Sequence, residues 1–156
     1  MKFNCKTFIF FVAIPLLTGG LASLISRESM AMFELLNKPP LSPPGWLFPL
    51  VWTILYTLMG VASYLVFTSG QDSDEIKLAF KVYALQLIFN FFWTILFFNF
   101  ELYFFAFFWI LALLALIILT TFLFYKVSKP AVYLMLPYIL WVTFAAYLNL
   151  GVAMLN

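Results

Sequence analysis

The 156-residue chain is 66% hydrophobic and 9% charged, with a net charge of +2. Soluble domains carry about 25% charged residues, so water is excluded as the main solvent, and the small positive surplus does not point to nucleic acid as a partner. Histidine is absent and Cys5 is the only cysteine, which removes imidazole as a base, zinc ligand or haem ligand and leaves no internal disulfide.

Five uncharged apolar runs follow in chain order, at about 7–26, 46–68, 82–100, 102–125 and 131–154. A helix rises ~1.5 Å per residue, so roughly 20 residues cross a ~30 Å hydrocarbon core. The expectation is an all-α integral membrane protein, a bundle of five transmembrane helices forming one domain over 1–156. The first run follows Lys2 and Lys6 and has some features of a signal peptide. It is too long for one and ends without a clear A-x-A site. Gly19/Ser23 and Ala22/Ser26 also give the small-xxx-small spacing of close helix packing, so it reads as a span.

Between the first two runs lies a lid loop over 27–45, ending in the stretch NKPPLSPPGW at 37–46. Proline fixes φ and lacks a backbone donor, so this stretch is an extended or turning connection built to hold a shape. With five spans, one side of the membrane carries Lys2, Lys6, Lys77, Lys81, Lys126 and Lys129, and the other only Arg27 and Lys38. The positive-inside rule then puts the N-terminus in the cytoplasm and the C-terminus outside, with a bacterial plasma membrane as the expected location. The acidic group Asp72, Asp74 and Glu75 counts for little in that rule.

Polar and aromatic residues mark one face in three of the spans. Trp52 and Tyr56 share a face in the second, and Gln86, Asn90, Trp93 and Thr94 share one in the third. In the fifth, Trp141, Ala145 and Asn149 follow at steps of four. Counted inward from the outer surface, Trp52, Trp93 and Asn149 lie at roughly 10 Å, Tyr56, Asn90 and Ala145 at about 15 Å, and Trp141 near ~20 Å. All lie beneath the proline-rich loop. One reading is structural: Trp46 belongs to an interfacial belt, Trp109 has no polar partner and packs, and Gln86 makes an interhelical hydrogen bond. The other is a small-molecule pocket with aromatic walls and a few polar groups, favoured for Trp52, Tyr56, Asn90, Trp93, Trp141 and Ala145 by their common depth, with Thr94 beside them.

These segments resemble the TspO/translocator protein family, also called tryptophan-rich sensory proteins or peripheral-type benzodiazepine receptors. LNKPPLSPPGW is similar to the family's L-x-K-P-x-W-x-P-P, and VWTILYTLMGVASYLV to W-x-x-L-Y-x-x-M-G-x-x-S-Y-L-V. LQLIFNFFWTILFF resembles Q-L-x-L-N-x-x-W-x-x-x-F-F, and LMLPYILWVTFAAYLN resembles L-x-P-Y-x-x-W-x-x-F-A-x-x-L-N. The resemblance implies a five-helix bundle, commonly a homodimer in the lipid bilayer, with a pocket closed by the first loop. It implies binding of porphyrins such as protoporphyrin IX, as ligand rather than cofactor, and in some members cholesterol and isoquinoline- or benzodiazepine-type molecules. Position by position, Trp52, Tyr56, Asn90, Trp93, Trp141 and Ala145 match the lining, and Pro43 and Pro44 the lid. Leu41 stands where the family has a lid tryptophan, and Met32-Phe33 where it has a Trp-Tyr pair. No Tyr, Lys or Arg follows Leu148, so the family's sterol motif is not met.

The expected function is therefore a membrane receptor, sensor or carrier of tetrapyrroles. The alternative is an enzyme promoting light- and oxygen-dependent porphyrin breakdown, with Trp52 and Trp141 as its reactive indoles. Hydrolysis and metal catalysis have no support, because no histidine and no nucleophile motif is present. No metal site is expected.

Overall fold

In hydrocarbon a backbone N–H or C=O has no water to bond, so an apolar run closes its hydrogen bonds internally as helix. The computed structural model describes residues 3–69 and 74–156, and Lys2 and Asp72 lie outside the described residues. The chain forms α1 (Cys5–Ile25), α2 (Arg27–Met32) continued by a 3-10 turn (Phe33–Leu35), and α3 (Leu47–Phe67). It goes on through α4 (Asp74–Thr94), a π-helical turn (Ile95–Asn99), α5 (Tyr103–Val127) and α6 (Lys129–Leu155). Five of these, α1, α3, α4 with its π turn, α5 and α6, are long and apolar enough to cross a membrane.

Two boundaries differ from the sequence reading. The third span starts at Asp74 rather than near 82. A charge-free run marks the depth of the hydrocarbon, not the end of the helix, and Asp74 and Glu75 in the first turn suit the helix dipole. Lys77 and Lys81 therefore stand on α4, where Lys77 pairs with Asp74 (3.2 Å), while Lys126 at the end of α5 reaches Glu75 (3.8 Å). The lid differs too: its first half is the short α2 and its 3-10 turn, and only 36–46 is the irregular strap that the prolines require.

Each span is apolar on all sides, so no amphipathic stripe tells a helix which way to face. Small residues and interhelical hydrogen bonds decide instead, as hydrocarbon gives apolar side chains little reason to prefer protein over lipid. The helices close a ring in the order α1, α3, α6, α5, α4 and back to α1, so the backbones of the consecutive α3 and α4 lie apart and the two meet through side chains such as Tyr56 and Asn90. Gly60 sets the α1–α3 approach: a Cβ there would lie 2.5 Å from the Cα of Val12. Asn4 caps α1 by accepting from the Thr7 N–H (3.2 Å), and Pro130 opens α6 in its first turn, where a missing donor costs nothing. Large apolar side chains such as Phe104, Phe105, Phe108 and Leu140 remain exposed on the outside, the surface that lipid covers.

Candidate functional site

The strap is fastened to α6. Pro39 is buried against Gly151, where any Cβ would collide with the proline ring. The Tyr147 hydroxyl donates to the Pro40 carbonyl oxygen (2.8 Å). The Asn156 side chain clasps the backbone of Asn37, its Nδ2 donating to the Asn37 carbonyl oxygen (2.9 Å) and its Oδ1 accepting from the Asn37 N–H (3.0 Å). Leu41 caps the turn with φ 68° and is 83% exposed. The strap thus has a fixed anchor and an exposed tip.

Beneath it lies a cavity of about 660 Å³ bordered by α1, α2, α3, α6 and the C-terminal end of α4. Trp52 stacks on Tyr56 (5.5 Å, 29°) and tilts against Trp93 (6.2 Å). The π turn adds to this wall. Its Phe97 and Phe98 both line the cavity. Phe33 of the 3-10 turn packs on both rings (6.0 and 5.8 Å) and brings the lid onto the π turn.

The floor is polar and closed. The Tyr56 hydroxyl donates to Asn90 Oδ1 (2.6 Å), Asn90 Nδ2 donates to the Tyr138 hydroxyl (2.8 Å), and that hydroxyl donates to Gln86 Oε1 (2.8 Å). A second link runs from Trp93 Nε1 to Asn149 Oδ1 (3.0 Å) and from Asn149 Nδ2 to the Tyr103 carbonyl oxygen (2.8 Å). Gln86, Asn90 and Tyr138 have no exposed surface. These bonds tie α3, α4, α5 and α6 together at one depth.

Trp52, Tyr56, Trp93, Thr94 and Ala145 line the cavity together, and Asn149 joins them. Asn90 lies under it, shielded by the Tyr56 that it holds. Trp141 is placed elsewhere: it borders a shallow apolar groove on the outer face with Val51, Pro137 and Leu140. The reason is helical phase. Steps of four drift by about 40° each, so Trp141 ends about 80° away from Asn149. Phe48, which does line the cavity, stands against the Trp141 ring at 5.9 Å. Pro43 and Pro44 belong to the strap without bordering the cavity, and Gly45 borders it instead.

The small-residue pairs of α1 divide in the same way. Gly19 and Ser23 border the cavity, whereas Ala22 and Ser26 are the buried pair. Trp109 was read as lacking a polar partner, but its Nε1 donates to the Phe89 carbonyl oxygen (2.8 Å) and its ring stacks on Phe89 at 4.3 Å. A backbone acceptor leaves no trace in side-chain spacing. Tyr138 was missed altogether. It falls in line with Ala145 and Asn149 at i, i+7 and i+11, a stripe visible in the sequence once Trp141 is not taken as its start.

The charged residues that border the cavity stand at its mouth. Lys38 donates to Glu34 (2.8 Å) and lies over the Phe33 ring at 4.9 Å, while Arg27 borders the cavity from the first turn of α2. Among the described residues no cluster of three His, Cys, Asp or Glu side chains forms a metal site. The arrangement suits non-covalent enclosure of an apolar, aromatic molecule with polar groups at its edge.

The sequence profile of the TspO/MBR family matches residues 11–155. The chain is 40% identical to the tryptophan-rich protein TspO of Chlorobaculum tepidum, over 80% of this chain and 78% of that relative. It is 35% identical to the tryptophan-rich sensory protein of Cereibacter sphaeroides, over 96% of this chain and 89% of the relative. The translocator protein of Bos taurus is 34% identical over 89% of this chain and 83% of its own length.

Proposed function

The chain belongs to the TspO/MBR family, and from that membership we propose that it is a membrane receptor taking porphyrins such as protoporphyrin IX, or similar flat apolar molecules, into the cavity beneath the strap. The observation that carries this reading is the wall formed by Trp52, Tyr56 and Trp93 around about 660 Å³. That volume is within the ~300–1,000 Å³ usual for small-molecule sites, and offset aromatic stacking suits a planar ligand. The lysine asymmetry supports a cytoplasmic N-terminus and an external strap in a bacterial plasma membrane. The family resemblance supports a homodimer.

Titration of the detergent-purified protein with metal-free protoporphyrin IX, followed by tryptophan quenching, tests the site. Trp52→Ala should weaken binding by about 1.5 kcal/mol, the loss of one aromatic contact and its buried area. An unchanged Kd would move the ligand out of this cavity. Light-dependent porphyrin breakdown is the second reading, and Trp52, stacked on Tyr56 at the cavity wall, favours it. Comparing the bleaching of bound protoporphyrin in wild type and Trp52→Phe, at equal occupancy, separates it from binding alone.

A further inference from the structure

The polar side chains around the cavity fall into two sets. Glu34 is held by Lys38, Tyr56 by Asn90, Trp93 by Asn149, and Thr94 donates to the Asn90 carbonyl oxygen. Ser23, Arg27 and Trp52 border the same space, and none has a hydrogen-bond or ion-pair partner among the described residues. All three can donate, and the guanidinium brings five N–H donors and a positive charge. The cavity therefore offers donors and one uncompensated cation.

Ser23 and Arg27 are also brought to one side. Ser26 bends the chain between α1 and α2 with φ −96° and ψ 7°. Its N–H still donates to the Ala22 carbonyl oxygen (3.0 Å), and its own carbonyl oxygen accepts from the Met30 N–H (2.8 Å). Helical spacing thus continues across the joint, and residues four apart share a face. The joint is pinned, because the buried Ser26 hydroxyl donates to Asn99 Oδ1 (2.5 Å) on the π turn.

We propose that this mouth selects an anionic amphiphile: a flat apolar body against Trp52 and Tyr56, with a carboxylate at its edge held by Arg27 and Ser23. The assignment rests on the binding reading above and adds the chemistry of the headgroup. A guanidinium fork matches the two oxygens of a carboxylate. Beside an apolar wall that attraction is stronger than in open water. Glu34, the acidic side chain bordering the cavity, is neutralised by Lys38. Glu28 is exposed and does not border the cavity, so it does not oppose an entering anion there.

The test compares two ligands that share one ring. Protein in nanodiscs of neutral lipid is titrated with metal-free protoporphyrin IX and with its dimethyl ester, which lacks both negative charges. Wild type should hold the diacid about fivefold more tightly, the size expected of a partly exposed ion pair with a hydrogen bond. Arg27→Gln should abolish the preference and leave the ester unchanged, Arg27→Lys should keep part of it, and added salt should narrow it. Arg27 is exposed and has no partner among the described residues, so the variants should unfold at the wild-type Tm. Equal affinity for diacid and ester in wild type, a preference that survives in Arg27→Gln, or an equal loss of both ligands there would overturn the carboxylate assignment and leave the cavity reading standing. If neither porphyrin binds wild type, both readings fall.

Discussion

From Tyr56 on the cavity wall, through Asn90 and Tyr138 to Gln86 beneath it, runs an unbroken chain of hydrogen bonds with almost no exposed surface. At the cavity mouth Ser23 and Arg27, and on its wall Trp52, have donors with no partner among the described residues, and the Leu41 turn stands open to its surroundings. Both regions contain the polar groups that draw attention in an apolar chain, yet they do different work. In hydrocarbon an unpaired polar group is costly, so a satisfied one selects which helix faces meet and at what register. A group left free at the membrane surface is hydrated at little cost and remains available to a ligand. Satisfaction, not polarity, separates the polar groups that hold the helices together from the donors left free around the cavity.

The largest effect that would test this division is at Asn90. Asn90→Leu keeps the branching of the side chain but strands the buried Tyr56 hydroxyl without an acceptor. Loss of stability of about 2 kcal/mol is expected, above the average membrane hydrogen bond because one residue bridges two tyrosines. Thermal unfolding in detergent measures it. Adding Tyr56→Phe should recover about half, since the stranded donor is then removed as well. If Asn90→Leu melts like wild type but binds porphyrin far more weakly, the floor is part of the recognition surface and the division fails.

The strap gives a smaller and more local test. Asn156→Ala removes both bonds that clasp the Asn37 backbone, while Pro39 on Gly151 and Tyr147 on Pro40 remain. About 1 kcal/mol of local anchoring should be lost, seen as roughly fivefold faster amide exchange in the strap with little change in Tm. Faster exchange in the floor as well would mean that the two regions open as one unit.

Much of this layout was legible in the sequence, for reasons that also explain the misses. Charge-free runs locate five crossings because hydrocarbon excludes charge, and the prolines of 37–46 forbid helix there. The common depth of Trp52, Tyr56, Trp93 and Ala145 follows from rise per residue alone, and these four do meet. Rotation about the helix axis was harder to read. With little amphipathic pattern in the spans, the sequence reading turned Trp141 inward and passed over Tyr138, whose inward facing depends on the partner helices. The π turn, which carries Phe97 and Phe98, has no side-chain signature either.

Trp141 supplies the smallest expected effect, and for that reason the sharpest test of where the recognition surface ends. Its ring borders the outer groove, and its Nε1 is buried without a hydrogen-bond partner. Trp141→Phe removes some packing against Phe48 and Phe144, but it also removes an unsatisfied buried donor. The first change costs about 1 kcal/mol and the second returns a similar amount, so stability should stay within about 0.5 kcal/mol of wild type. Porphyrin affinity should change by less than about twofold, because Phe48 stands between this indole and the cavity. Trp52→Phe, measured beside it, alters a ring that touches the cavity directly and should weaken binding more. Equal losses in the two variants would extend the recognition surface past Phe48 into the outer groove. A ligand would then reach the lipid-facing side of α6, and free donors at the mouth would no longer mark its boundary.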